Sequence, residues 1–285
     1  MIHPDQTCGV RGRYIGENVA LLRNVIEYAK ETSPPLAILS LDQEKAFDRV
    51  DWSFLFVTLS RMGFGPSLIS WVRLLYSDIH SAILINGFTS DYFKPSRGVR
   101  QGCPLSPLLY VISIEFLAVN IRSHPDTIGL RLPGVPTPLP LLSLYADDTS
   151  VISSSDAGTA AVFDTYSKFE RGTGAKLNLD KCEGLWLGSW KSRVDKPVPI
   201  LWSSDKIKVL GVFLGNEALD ELNWRPRIEA VERCLGSWHS RHLSYSGKAL
   251  VMNALALSRV WYVASLIPMP SWVLNELNSL VFNFF

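Results

Sequence analysis

Apolar positions run along this chain in blocks whose period changes from helical to strand-like and back. Val19, Leu22, Val25, Ile26 and Ala29 recur at helical spacing and predict a helix over 18–30, after a loop over 1–13. Ser33-Pro34-Pro35 breaks that helix. Leu36-Ala37-Ile38-Leu39-Ser40-Leu41 is then almost continuously apolar, the pattern of a strand buried on both faces, and Asp42 emerges at its end. A helix over 51–62 is closed by Gly63, and Gly65-Pro66 opens another running to 76; Trp52, Leu55, Leu59, Trp71, Leu74 and Leu75 are the expected core of the pair. Asn86-Gly87 joins strands over 81–85 and 88–93 in a hairpin, because Asn-Gly supplies the type I′ turn.

Ser106-Pro107 caps a further helix to about 122, on which Leu108, Val111, Ile112, Glu115 and Val119 follow the helical period. Glu115 there reads as a satisfied buried acid without a role. The Pro- and Gly-rich stretch over 124–140 predicts a connection holding a short strand at 129–132. Leu141-Leu142-Ser143-Leu144-Tyr145-Ala146-Asp147-Asp148-Thr149-Ser150-Val151-Ile152 reads as apolar run, polar tip, apolar run: a hairpin with Ala146 to Asp148 at its turn. Asp156 caps a helix over 157–171, ended by Gly172 and Gly174. From 216 onward the pattern is helical, through Ile228, Val231, Leu235 and Trp238, then from Ser246-Gly247-Lys248 to Ile267, then over 271–285.

The pattern leaves three acids in chemically telling places. Asp42 ends a strand, and Asp147 and Asp148 sit side by side at a hairpin tip. Adjacent ionised carboxylates repel unless a cation or hydrogen bonds offset the repulsion. If the two strands are neighbours in one sheet, the three converge, and three such carboxylates can hold two metal ions for in-line phosphoryl or nucleotidyl transfer. Asp48 is a weaker candidate that reads better as the cap of the following helix.

Composition adds bounds rather than direction. The 285 residues are 47% hydrophobic and 19% charged, a globular composition able to bury a sizeable core. The net charge of +1 carries no nucleic-acid signal of its own. Cys8, Cys103, Cys182 and Cys234 show no zinc or disulfide spacing, which points to a reducing, intracellular setting. The most apolar stretch, 249–270, contains Asn253 and Arg259 and reads as a buried helix, so no membrane is expected.

Three stretches together resemble the successive palm motifs of a reverse transcriptase, and most closely of the non-LTR (LINE-type) retrotransposon enzymes. They are Leu41-Asp42-Gln43-Glu44-Lys45-Ala46-Phe47-Asp48-Arg49-Val50, Gly98-Val99-Arg100-Gln101-Gly102-Cys103-Pro104-Leu105-Ser106-Pro107, and Tyr145-Ala146-Asp147-Asp148. The resemblance implies an α+β polymerase right hand, with an antiparallel palm sheet backed by helices, partial fingers and an α-helical thumb. It divides the chain into a lead-in over 1–33, a palm over 34–215 with a fingers insertion at about 51–98, and a thumb over 216–285. The family carries a fingers region ahead of this point, so the chain is expected to be N-terminally truncated.

The resemblance also implies roles. Asp42, Asp147 and Asp148 hold two Mg²⁺, for which Mn²⁺ can substitute. Phe47 lies under the nucleotide sugar and excludes a 2′-OH, and Gln101 and Gly102 shape the nucleotide pocket. Ala175 to Cys182 resembles the fourth motif, whose lysine, Lys181 or alternatively Lys176, assists the leaving pyrophosphate. Ile207 to Gly215 resembles the primer grip. The implied partners are an RNA template, a DNA primer and deoxynucleoside triphosphates, with Arg225, Arg227, Arg233, Arg241 and Lys248 as candidate backbone contacts. Arg11 and Arg13 read as solvated loop residues, with contact to template or phosphate as the alternative. The competing expectation is a catalytically silent palm and thumb fragment.

Overall fold

A computed structural model describes residues 2–132, 134 and 142–285. Leu141 at the head of the expected hairpin and residues 133 and 135–140 of the preceding connection lie outside the described residues. In chain order the elements are α1 (Ile15–Thr32), β1 (Leu36–Leu41), a 3₁₀ turn (Ala46–Arg49), α2 (Trp52–Arg61), α3 (Pro66–Tyr76), β2 (Leu84–Ile85), β3 (Phe88–Thr89), α4 (Ser106–Ser123), β4 (Leu142–Tyr145), β5 (Asp148–Ser153) and α5 (Asp156–Thr173). There follow β6 (Glu183–Leu187), β7 (Leu201–Ser203), β8 (Lys206–Val209), β9 (Val212–Gly215), α6 (Asp220–His239), α7 (Tyr245–Val251), a π-helical stretch (Met252–Leu257), α8 (Ser258–Leu266) and α9 (Ser271–Phe284).

Five strands form one sheet in the order β4-β5-β1-β6-β7, antiparallel except for the β6–β7 pair. The apolar run of β1 takes the central place because both of its faces have something to cover. Leu36 and Ile38 join a core with α1, β8, β9 and the helices from α6 to α9. Leu39 and Leu41, one residue out of phase, join a second core with α2, α4 and α5. Alternation with period two thus divides one strand between two cores. Each such side chain, withdrawn wholly from water, contributes about 1.5–3 kcal/mol. The sheet is therefore sandwiched between two cores, and β1 runs out at its end into Asp42.

The structure corrects several local expectations. On α3 only Val72 and Tyr76 are buried, whereas Trp71, Leu74 and Leu75 are 66%, 60% and 55% exposed. The helix meets neighbours along a single narrow strip, and a helical period does not say which apolar face finds one. On α4 burial runs almost around the helix, taking in Leu109, Tyr110, Ile114, Leu117 and Ile121 and leaving Leu108 and Val119 exposed. The cap of α2 is Asp51, which accepts from the Phe54 amide, not Asp48. The cap of α5 is Ser155, which accepts from the Gly158 amide, not Asp156. Ser106 is the first residue of α4 and caps nothing. No strand forms over 129–132.

Glu115 is buried and ion-paired through Oε1, while its Oε2 is buried without a partner among the described residues, so the acid is only half satisfied. Arg122 bridges it to Asp5, 3.2 Å away, and so ties the lead-in to α4. Burial raises the Asp5 pKa against the pull of His3 and Arg122. The run Tyr245–Leu266 spans 22 residues with a mean hydropathy of 1.4 and is long and apolar enough, by length and composition alone, to cross a membrane. Here it packs through Val251, Met252, Ala256, Val260 and Val263 while Leu250 and Trp261 stay exposed, so the helix is buried on one side rather than all round. All four cysteines are free.

Candidate active site

The three acids meet at the end of the central sheet. In the β1–β5 pairing Leu41 stands opposite Thr149, so the next step of the register sets Asp42 opposite Asp148. β4 and β5 are joined tightly, with Tyr145 opposite Asp148, which leaves Ala146 and Asp147 as the turn. Ala146 has φ +54, the left-handed region, and it occupies the first turn position where hairpins of this length favour glycine.

The carboxylates sense one another. Partial burial of the tip raises the Asp148 pKa first, and the charges of Asp147 and Asp42 add to it, taking the group to about 6 although the residue keeps an exposed face. Burial likewise raises Asp147, with Asp42 adding to the shift. Among the described residues no three His, Cys, Asp or Glu side chains already close into a metal cage. Like charges side by side repel, which disfavours such closure by the carboxylates alone. A cavity of about 650 Å³ between α2 and α4, lined by Phe54, Val57, Arg61 and Phe116 among others, includes none of the three acids.

The segment that follows α5 braces Asp42 from the side. The Asn178 amide donates to the Asp42 carbonyl at 2.9 Å, and the Glu44 amide donates to the Lys176 carbonyl at 2.8 Å. Between them Gln43 points inward and donates from Nε2 to the Tyr166 hydroxyl at 2.8 Å. Lys176 is ion-paired with Glu44 at 3.2 Å, and Glu44 also holds Arg49 at 2.9 Å. Arg49 first and Lys176 second keep the Glu44 carboxyl below its ordinary range. Lys181 is exposed, and no ion pair joins it to a carboxylate among the described residues.

Phe47 lies half-buried on the 3₁₀ turn and stacks on Tyr110 with ring centroids 4.5 Å apart. Tyr110 is itself buried, and burial, then Tyr166 and Asp147, push its hydroxyl well above the ordinary range. The loop ahead of α4 is sewn to this turn: the Val99 amide donates to the Phe47 carbonyl and the Gly98 amide to the Val50 carbonyl, both at 2.8 Å. Gly98 has φ +95, and a Cβ there would stand 2.9 Å from the Asp48 carbonyl oxygen, so only glycine fits. Gln101 and Gly102 follow on an exposed turn, Gly102 at φ +83. Asp48 is exposed on the 3₁₀ turn.

Beyond the five-stranded sheet, β8 and β9 form a hairpin whose Leu210-Gly211 turn is left-handed at both residues. Asn223 of α6 fastens it, accepting from the Phe213 amide at 2.8 Å and donating to its carbonyl at 2.9 Å. Several of the basic candidates on the helices are occupied within the fold. Arg225 pairs with Glu221 and Glu276 and lies over Trp272, and Lys248 donates to the carbonyl of Phe284 at 2.8 Å. Arg241 lies over Trp238, and Arg233 donates to the Glu229 carbonyl. Arg13 is likewise no solvated loop residue, since it donates to the carbonyls of His3 and Gln6 at 2.7 Å.

Sequence reasoning missed the polar supports Gln43 and Tyr166. Their only sequence signal is a polar side chain in an otherwise apolar or loop context, which many surface residues share.

Residues 3–214 match the family described as reverse transcriptase (RNA-dependent DNA polymerase). Among curated proteins the chain is similar to the transposon TX1 uncharacterized 149 kDa protein of Xenopus laevis, 37% identical over 267 residues, covering 92% of this chain and 20% of that protein. It is 28% identical over 166 residues to the retrovirus-related Pol polyprotein from type-2 retrotransposable element R2DM of Drosophila melanogaster, covering 58% of this chain and 15% of that one. The chain thus spans a fifth or less of the length of these two relatives. Among solved structures the apo telomerase of Candida tropicalis superposes with a TM-score of 0.56 at 15% identity, over 100% of this chain and 47% of that one, a likeness of fold.

Proposed function

Because this chain belongs to the reverse transcriptase (RNA-dependent DNA polymerase) family, we propose that it carries the nucleotidyl-transfer centre of an RNA-directed DNA polymerase of a non-LTR retrotransposon. The observation that carries this reading is the β1–β5 register, which one step past the Leu41–Thr149 pair brings Asp42 opposite Asp148, with Asp147 beside them at the tip. The donor set fits divalent cations: it is all oxygen, burial first and neighbouring charge second raise the Asp147 and Asp148 carboxyls, and a bound cation offsets the second of these. Asp42, Asp147 and Asp148 would hold two Mg²⁺, or Mn²⁺ in their place. Such ions, when bound, lower the pKa of an attacking hydroxyl and stabilise the leaving charge.

In the reaction a primer 3′-OH attacks the α-phosphate of a deoxynucleoside triphosphate, and pyrophosphate leaves. The chain's own contribution is positioning. Phe47, fixed by its stack on Tyr110, offers a flat apolar floor to the sugar. Gln101 and Gly102, on the loop sewn to that turn, border the nucleotide, and Gly102 lets backbone approach closely. Lys181, exposed and joined to no carboxylate by an ion pair among the described residues, would neutralise pyrophosphate, with Lys176, which holds Glu44 at the surface, as the alternative. The partner this reading implies is a template–primer duplex of RNA and DNA. Free cysteines accord with work inside the cell.

Primer extension on an RNA template, with a DNA primer, deoxynucleotides and Mg²⁺, tests the reading beside an Asp147→Asn control. Extension by wild type that the control lacks is the expected result. A folded wild type that extends nothing, with either Mg²⁺ or Mn²⁺, makes this chain by itself a silent palm and thumb.

A further inference from the structure

The lead-in over 2–14 does more than connect. Residues 5–7 run parallel to β4 along the outer edge of the sheet: the Leu144 amide donates to the Asp5 carbonyl at 2.9 Å, and the Thr7 amide donates to the Leu144 carbonyl at 3.0 Å. Asn18 of α1 locks this contact, donating from Nδ2 to the Ser143 hydroxyl at 2.9 Å and to the Leu144 carbonyl at 3.0 Å, with the Thr7 hydroxyl bonded to its other amide atom. An edge strand that would otherwise be open is thereby closed.

Gln6 sits at the centre of this seam and is 0% exposed. Its Oε1 accepts from two amides, that of Cys8 at 3.0 Å and that of Ala146 at 3.1 Å. Ala146 is the left-handed alanine of the hairpin turn, immediately before Asp147. A non-glycine residue held there is strained by roughly 1–3 kcal/mol and persists only where its surroundings over-determine it. A turn amide pointing away from the strand ladder also needs an acceptor. Gln6 supplies it. The other end of the Gln6 amide, Nε2, is buried with no partner among the described residues. An unpaired buried donor costs on the order of 1–3 kcal/mol, so an apolar residue of the same length would fill the space at less cost. The acceptor is what distinguishes glutamine here.

We infer that Gln6 is a positioning residue for the catalytic centre: it clamps the strained Ala146 turn and so fixes where Asp147 presents its carboxylate. This rests on the metal-site reading above. A ligand displaced by an ångström loses much of its effect.

The test uses the full chain and two measurements, amide exchange at Ala146 and Mn²⁺ affinity followed by the spin resonance of the free ion. In wild type the Ala146 amide is protected; free exchange there overturns the clamp with no variant needed. In Gln6→Met, near-isosteric but without the acceptor, exchange at Ala146 rises about tenfold and Mn²⁺ binds about tenfold more weakly, the loss of one hydrogen bond. Amides of Ile38 and Ile152 stay as protected as in wild type. Acceleration spread through β1 and β5 makes Gln6 a general structural residue and overturns positioning, as does unchanged Mn²⁺ affinity beside faster exchange at Ala146. Gln6→Glu, which keeps an acceptor oxygen, keeps Ala146 protected; loss of protection there overturns the acceptor role. Wild type whose Ala146 is protected but which binds Mn²⁺ no better than Asp147→Asn overturns the metal-site reading, and the positioning role with it, while leaving the clamp itself observed.

Discussion

Asp42 faces Asp148 across the β1–β5 pairing, one step beyond the Leu41–Thr149 pair. Two acids more than a hundred residues apart in sequence are thus brought to one sheet end by the β1–β5 ladder that stops just short of them, before any cation is considered. Replacing either with its amide removes a ligand and relieves a repulsion at once. Asp148→Asn is expected to lower primer extension by roughly 10³-fold or more, as loss of a preorganised charge does. The same change is expected to raise the melting temperature of the metal-free protein at neutral pH. A melting temperature below that of wild type would show that the carboxylates do not repel each other in the fold.

The pH dependence of stability follows from the same pair. The folded pKa of Asp148 lies near 6 and that of Asp147 is also raised above 3.8. A raised carboxyl favours the fold where it holds its proton, and that contribution is lost as pH rises through the folded value. Metal-free protein is therefore expected to melt higher at about pH 5 than at about pH 7.5. Added Mg²⁺, which selects the ionised carboxylates, should narrow or reverse the difference. Calorimetry with and without chelator reads both effects, and a flat metal-free profile contradicts the shifts.

Phe47 stacks on Tyr110 and stays half-buried, so one face of its ring is held by the tyrosine. As the floor of the sugar site it would clash with a 2′-OH. Phe47→Val is expected to raise ribonucleotide incorporation relative to deoxynucleotide incorporation by about tenfold or more, the loss of a clash worth at least about 1.4 kcal/mol. Unchanged discrimination from a folded variant would leave Phe47 with a packing role alone.

Gly98 joins the loop ahead of α4 to the Phe47 turn at a place with no room for a Cβ. Gly98→Ala is expected to destabilise the protein by roughly 1–3 kcal/mol from backbone conformation, with the contact to the Asp48 carbonyl adding to it. Denaturant unfolding measures this directly. Because the loop carries Gln101 and Gly102, the variant should also raise the KM for nucleotide.

What the chain reveals before it folds differs from element to element. The sequence alone set β1 as a strand buried on both faces, because Leu36 to Leu41 leaves no polar face, and the structure divides that run between two cores. It set the hairpin at Asn86-Gly87, whose residues are left-handed as the type I′ turn requires, and it set the helices of the C-terminal region. It also marked Asp42, Asp147 and Asp148, since a charge set against the end of an apolar run gains nothing from packing there. These are local properties: period, turn chemistry and the placement of a charge against an apolar block.

The tertiary structure decided everything that depends on which surfaces meet. Trp71, Leu74 and Leu75 look like core in sequence and lie open, because no neighbour among the described residues covers that side of α3. Ser155 and Asp51, not Asp156 and Asp48, cap their helices, a choice made by one and three residues of register that flanking polar residues do not specify. Arg13 and Gln6 look like loop polarity and are instead tied to carbonyls and amides, those of Gln6 reaching 140 residues away. Hydrogen bonds across such distances in the chain exist only once the sheet has assembled, and no periodicity records them. The pairing of Asp42 with Asp148 belongs to the same class: each acid was visible alone, and their meeting is a property of the strand order.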